Sequence, residues 1–340
     1  MSLDLVRAAR TFLLPVRGVT LQASILVLLA VALLLPYFAS PFSVYIILLS
    51  LAYVPVVLGF NLLFGYTGLL SFGHGLFLAI GMYTGAFLMA TYSITCMEVI
   101  LLVAIAISAI VGLGVGLLCV RYTRIFFAML TLAFGMLFYT FLLKFYYLTG
   151  GDQGMGIYLR PTLLGISLTK PSIMDFLTKN YYYYVLAIVV LTTLIMYRIT
   201  SSHFGLCLKS IKENAVKAEE LGIDVKRYRL YAFIISAIYT AIGGALLAQV
   251  TRHVVPAASY WTTSGEIVFM TLLGGFEHFL GPVIGAFVYI LLRDQIMSVT
   301  IYWRIIMGAM LLLIILFVPG GLAEGFRALS KRMRGLVRMP

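Results

Sequence analysis

The residues able to do chemistry in this chain are few and sit mostly alone. Twelve acids and four histidines are spread over 340 residues. His74, His203, His253 and His278 are dispersed, so no metal site is assigned. Cys96, Cys119 and Cys207 lie far apart in apolar or basic surroundings, which suits neither a metal nor a disulfide framework. No GxxxxGK[ST] phosphate loop occurs, and no row of acids suits a proton relay. If the protein moves a solute uphill, another chain supplies the energy. Three features remain: a polar glycine-rich stretch at 61–75, one acid at 266 and a charged segment at 200–230.

The first reads NLLFGYTGLLSFGHG. Gly65, Gly68, Gly73 and Gly75 exceed what packing requires, and Asn61, Tyr66, Thr67, Ser71 and His74 can hydrogen-bond in a dry environment. A helix broken at 65–75 would offer backbone N–H groups to a carboxylate, as part of a translocation path. The alternative is an interfacial corner between spans. His74 reads as a hydrogen-bonding helix residue. Glu266 opens the apolar run EIVFMTLL, where an unpaired carboxylate is costly. It can cap a short helix from the external side, pair with Arg252 or Arg293, or face the amino group of a substrate. The pairs Gly81/Gly85 and Gly281/Gly285 have GxxxG spacing and read first as helix packing.

The charged segment contains KSIKENAVKAEELG at 209–222. It suits a short helix outside the bilayer. Lys209, Glu213 and Lys217 are spaced i,i+4. Ile211, Ala215 and Ala218 form a small apolar face. Gly222 terminates the helix, and Asp224 caps the next one. A soluble partner could grip such a helix and move the spans; equally, it could rest on lipid headgroups.

The elements that position these groups follow from composition. The chain is 62% hydrophobic and 11% charged, against about 25% charged in a soluble domain. A spanning helix needs about 20 mainly apolar residues. Candidates lie at 21–39, 43–63, 70–94, 98–118, 125–147, 181–199, 231–250, 281–297 and 301–319, with a shorter segment at 264–274. Uniform runs of this kind make the first an uncleaved span. The run Tyr181–Tyr184 opens a span, as in an interfacial aromatic belt.

The net charge of +12 comes from basic residues between apolar runs. Lipid headgroups and cytoplasmic loops explain them better than nucleic acid. Most cluster before the first span, after the fourth, after the sixth and at the C-terminus. The positive-inside rule then puts both termini in the cytoplasm. An even number of crossings requires 264–274 to cross as a short helix. The fold predicted is an all-α polytopic transmembrane bundle of about ten spans, one short or broken. The alternative is eight full spans plus broken segments. Residues 1–20 form a cytoplasmic tail, 21–322 a transmembrane domain and 323–340 a basic cytoplasmic tail. Within the domain, 148–180 is an external loop interrupted by Gly150, Gly151, Gly154, Gly156, Pro161 and Pro171, and 200–230 is cytoplasmic. The external loop suits either a partner or a solvated connection.

Six blocks in order carry a resemblance. They are NLLFGYTGLLSFGHGLFLAIGMYTGAFL at 61–88, FFAMLTLAF at 126–134, TGGDQGMGI at 149–157, FGLCLKSIKENAVKAEELGIDVKRYRLYAF at 204–233, SGEIVFMTLLGGFEHFLGPVIGAF at 264–287 and LFVPGGL at 316–322. The chain resembles the M-type permease subunit of ATP-binding-cassette importers for branched-chain amino acids. The resemblance implies a second, H-type permease, two cytoplasmic ATPases carrying ATP and Mg, and a periplasmic or extracellular solute-binding protein. It implies no catalysis and no cofactor in this chain, and a multi-pass place in the plasma or inner membrane. It also makes 209–222 the coupling element for an ATPase: Lys209, Lys212, Glu213, Asn214, Lys217, Ala218, Glu219, Glu220 and Gly222. Glu213, Glu219 and Glu220 are its expected polar contacts, and the turn at Glu277 and His278 also suits one. The candidate path comprises Asn61, Gly65, Tyr66, Thr67, Gly68, Ser71, Gly73, His74, Gly75 and Glu266. Related systems carry urea, short amides, and other amino or aromatic acids. A secondary transporter or channel without an ATPase is the competing class.

Overall fold

The structure, a computed structural model, describes residues 32–163, 165, 172–317, 320–322 and 324. Most of the expected first span and nearly all of both tails lie outside these residues, as do 164 and 166–171 of the external loop. The chain divides into two units after Val44. In the first, residues 32–38 are helical.

The second unit is a helical bundle. Its helices are α1 (Pro41–Thr67, which begins in the first unit), α2 (His74–Tyr92), α3 (Met97–Cys119), α4 (Arg124–Lys144) and α5 (Tyr182–Ser201). Then follow α6 (His203–Glu213), α7 (Ala215–Glu220), α8 (Val225–Thr251), α9 (Trp261–Gly274), α10 (Gly281–Val299) and α11 (Trp303–Phe317). A helical turn at Ile173–Asp175 and a π-helical stretch at Phe176–Tyr181 lead into α5, so that span starts earlier than its apolar run. Seven helices among the described residues are long and apolar enough to cross a membrane. The protein is thus an all-α polytopic membrane bundle.

The centre of the bundle is α8. It is buried without interruption from Tyr239 to Val250, as expected of a helix that is small and apolar on every side. α2 runs beside it in the same direction, with His74 opposite Ser236, Gly81 opposite Ala241 and Gly85 near Ala248. A side chain at Gly81 would strike the Ala241 carbonyl, and one at Gly244 the Leu78 carbonyl. With no hydrophobic drive between helices in lipid, such close approach is what holds them. On α1, Gly59 meets Tyr239 and Ser236 in the same way. α9 and α10 form an antiparallel hairpin in which Gly274 abuts Gly281, and Gly285 abuts the Met270 carbonyl. Three of the four GxxxG glycines therefore make tight backbone contacts; Gly85 makes only ordinary ones.

The segment expected as an external loop is partly ordered by pairing. Met155–Gly156 (β1) pairs antiparallel with His253–Val254 (β2). Arg252 follows α8, and its guanidinium donates to the Ile157 and Tyr158 carbonyls at 2.7 and 3.0 Å.

Candidate functional site

The glycine-rich stretch is a break between two helices. α1 ends in a left-handed glycine cap: Gly68 takes the φ of +73°, its N–H reaches the Phe64 carbonyl, and the Leu69 N–H reaches the Leu63 carbonyl. Helix resumes at His74. The chain between them dips against α4, so closely that a Cβ on Gly73 would lie 2.6 Å from the Thr131 carbonyl oxygen.

Three backbone N–H groups at the break are occupied by side-chain hydroxyls. The Phe72 N–H donates to Thr131 Oγ1 (3.2 Å), Gly73 N–H to Ser71 Oγ (3.2 Å) and Gly75 N–H to Ser264 Oγ of α9 (2.8 Å). His74 Nδ1 lies 3.1 Å from Ser71 Oγ, and its Nε2 lies 2.7 Å from Ser236 Oγ of α8. Both ring nitrogens are engaged, so neither is presented to a metal. Nearby, Ser259 donates to the Gly135 carbonyl. The break, α4, α8, α9 and the turn before α9 therefore converge on one buried polar point. Ser71, His74, Ser236 and Ser264 are each at most 1% exposed. A hydroxyl both donates and accepts, and its hydrogen rotates to suit its partners.

This changes the expected chemistry of the stretch. The N–H groups at Phe72, Gly73 and Gly75 hold hydroxyls rather than standing open. Ser236, Ser264, Thr131 and Ser259, which complete the arrangement, were not singled out in the sequence. A hydroxyl in an apolar helix usually bonds back to its own backbone, as Thr240 does to the Ser236 carbonyl. Type alone does not separate the two uses. Asn61 lies one to two turns earlier on α1, and its Oδ1 is buried with no hydrogen-bond partner among the described residues. Beside the break an open groove of ≈ 450 Å³ runs between Gly68, Leu70 and Phe72 on one wall and Ile125, Met129 and Leu132 of α4 on the other.

Glu266 is separate from this cluster. It pairs with Arg293 of α10 at 3.2 Å, and that guanidinium also lies 5.0 Å from the Trp303 ring centroid. Of the partners expected for Glu266, Arg293 is the one it meets.

The charged segment at 200–230 differs from expectation in one respect. It is two helices, not one across 209–221. Asn214 leaves the helical conformation and caps α7, its Oδ1 accepting from the Val216 and Lys217 N–H groups, each at 3.1 Å. A side chain that can bond the backbone locally favours the cap over the helix interior. The i,i+4 pair Glu213–Lys217 is thereby split between helices. The rest follows the sequence. Gly222 has φ +86°, and the Ile223 N–H reaches back to the Ala218 carbonyl. Asp224 caps α8 through the Arg227 N–H. Ile211, Ala218 and Val225 make a small core with Ala215, Ile223 and Tyr228 around it. Ala218 thus faces inward, whereas Glu213, Asn214, Lys217, Glu219, Glu220 and Gly222 are exposed. Val216 and Leu221 stand exposed among these charges, a feature that residue-type counting passed over.

Lys209 and Lys212 point toward the membrane bundle. Lys209 Nζ lies 5.2 Å from the Tyr66 ring centroid, and burial, with Lys212 beside it, pushes its ammonium pKa down against the pull of Glu213. Lys212 Nζ donates to the Gly65 carbonyl at 2.9 Å.

The two antiparallel spans α1 and α2 thus meet at a buried polar corner, the alternative expected for this stretch, inside a bundle of long apolar helices. Residues 42–315 match the family described as branched-chain amino acid transport system / permease component, and the chain belongs to that family. It is 27% identical over 349 aligned residues to the high-affinity branched-chain amino acid transport system permease protein LivM of Escherichia coli K12, covering 96% of this chain and 81% of that one. It is 24% identical to the corresponding LivH protein of Salmonella typhimurium over 81% of this chain and 92% of that one. A shorter match, 34% identical over 112 residues, is to the nucleoside ABC transporter permease protein NupC of Lactococcus lactis, covering 32% of this chain and 34% of that one. No solved structure matches.

Proposed function

We propose that this chain is the M-type membrane subunit of an ATP-driven importer that carries branched-chain amino acids. The observation that carries the reading is the LivM match across 96% of the chain. Its partners are an H-type permease, two cytoplasmic ATPases that bind ATP and Mg, and an external solute-binding protein. It sits in the plasma or inner membrane with ten spans and both termini cytoplasmic. The tenth crossing is α9. Its following turn returns to the side of α6, because Phe276 lies under Lys212. α8 leaves from that side, so the chain between must come back. Residues 1–20 and 323–340 are cytoplasmic tails of a domain covering 21–322.

The coupling surface is the exposed side of α6 and α7, with Glu213, Glu219 and Glu220 as polar contacts to an ATPase. The path passes the break at 65–75 with Asn61. Support for this comes from the groove beside it and the hydroxyls around His74. Glu266, held by Arg293, is a further candidate of the path, apart from the hydroxyl cluster. A ligand drives closure only through unequal affinity for two states. Cargo of another class is the second reading, favoured by the match to a nucleoside permease.

The test is reconstitution of the chain with its H-type partner, ATPases and binding protein in liposomes. Uptake of leucine, isoleucine or valine that requires ATP is expected. Uptake on an ion gradient with no ATPase present overturns the reading. Competition with urea, short amides, aromatic acids and nucleosides assigns the cargo.

A further inference from the structure

Lys212 lies on the last turn of α6, in the element proposed to face the ATPase, yet its bonds run the other way. Its ammonium meets two parts of the bundle, and its stem rests on one of them. It donates to the Gly65 carbonyl near the end of α1. It lies 5.0 Å from the ring centroid of Phe276, in the turn between α9 and α10. Its Cγ sits 3.3 Å from where a Cβ on Gly68 would be, against the turn that ends α1.

Each contact has a physical reason. The Gly65 carbonyl would take the Leu69 N–H in a continuing helix, but that group has gone to Leu63 in the turn after the Gly68 cap. It is an orphan acceptor at the negative end of a helix dipole, where an ammonium is favoured. The Phe276 face adds a cation–π contact, and Phe276 itself packs edge-on to Phe64 of α1 at 5.0 Å. Gly68 leaves room for the lysine stem.

What these parts lead to gives the contact its use. The end of α1 continues directly into the break at 68–73. The turn at 276 ends α9, which carries Ser264 and so holds the Gly75 N–H. Both supports of the break are therefore tied to one side chain of the cytoplasmic segment.

We propose that Lys212 is a positioning residue that transmits displacement of α6 and α7 to the helix break, and is not itself a contact to the ATPase. This rests on the importer reading above. Movement of α6 pulls the α1 terminus and the α9–α10 turn together, so the hydroxyl network around His74 changes partners in step with the nucleotide state.

The full reconstituted transporter tests it. Lys212→Met keeps the stem and removes the donor and charge. It is expected to assemble with the ATPases as wild type does and to hydrolyse ATP. Solute moved per ATP should fall at least about tenfold, the scale of a typical coupling energy. Lys212→Arg should restore most of that ratio. Loss of ATPase binding in Lys212→Met, or a wild-type transport ratio, overturns the proposal. Phe276→Leu is the second variant, which removes the cation–π contact and leaves the lysine; it should lower the ratio by a smaller factor, and an unchanged ratio overturns the proposal even if Lys212→Met does not accumulate. Absence of ATP-driven uptake by the wild-type assembly overturns instead the importer reading beneath it.

Discussion

The bundle centre and the helix pair α6–α7 are held together by different means. Where α2 meets α8, backbone touches backbone, and glycine is the residue that permits it. Where α6 meets α7, order comes from an asparagine cap, a left-handed glycine, an aspartate cap and a small apolar core. The first region lies in lipid, where burying apolar surface gains little and close packing replaces it. The second is a charged, largely exposed segment between the long apolar helices, and there capping and burial both stabilise. The first therefore tolerates no added volume where backbone meets backbone, and the second tolerates volume but depends on polar atoms at fixed places.

The contrast is broken most severely by adding volume to the centre. Gly81→Val drives its side chain into the Ala241 backbone, which cannot move without displacing α8. Overpacking of this kind costs about 3 kcal/mol or more where no side chain can give way. Gly85→Ala is the control. Its Cβ would lie 3.5 Å from the nearest atom, an ordinary contact, and a change within about 0.5 kcal/mol is expected. Thermal unfolding of the detergent-purified chain measures both. Equal tolerance at the two positions would mean that α2 and α8 are not held by this contact.

A smaller effect is expected at Glu266. Glu266→Gln leaves the Arg293 guanidinium without its anion. The pair is 19% and 32% exposed at its side chains, between a buried and a surface bridge. A loss of about 1–3 kcal/mol follows, with the Trp303 ring retaining part of the guanidinium's stabilisation. The double variant with Arg293→Gln should lose less than the sum of the single ones. If Glu266 instead meets the amino group of the cargo, Glu266→Gln weakens cargo binding and leaves unfolding unchanged.

The two regions also differed in how far the sequence revealed them. In the charged segment, local rules carried nearly everything. Gly222 and Asp224 act at single positions through their own backbone, so their roles were predictable from residue type. Asn214 is the exception that shows the limit: a cap and a helix-interior asparagine look alike until the next turn is known. In the bundle, the run lengths and the break near Gly65–Gly75 were legible. The partners were not. Ser236 is 162 residues from His74, and Ser264 is 189 from Gly75. Nothing local marks a serine whose use depends on a helix from the far end of the chain. Glu266 lies between these cases, because a lone acid in an apolar run announces that it needs a partner but not which one.

The mildest test falls on the cap that divides α6 from α7. Removing it with Asn214→Ala deprives the Val216 and Lys217 N–H groups of their acceptor, a loss of about 1 kcal/mol. α7 has only six residues, far below the length at which a helix persists in water by propensity alone. The loss should appear as faster amide exchange across Ala215–Glu220, with α8 unchanged because Asp224 caps it independently. Asn214→Asp keeps an acceptor and adds a charge that suits a helix N-terminus, so it should hold protection at the wild-type level. Alanine fills an interior position well but a cap poorly. If exchange instead slows in Asn214→Ala, α6 and α7 have fused into one helix, and the break at Asn214 is set by that side chain alone rather than by the packing of Ala218 beneath it.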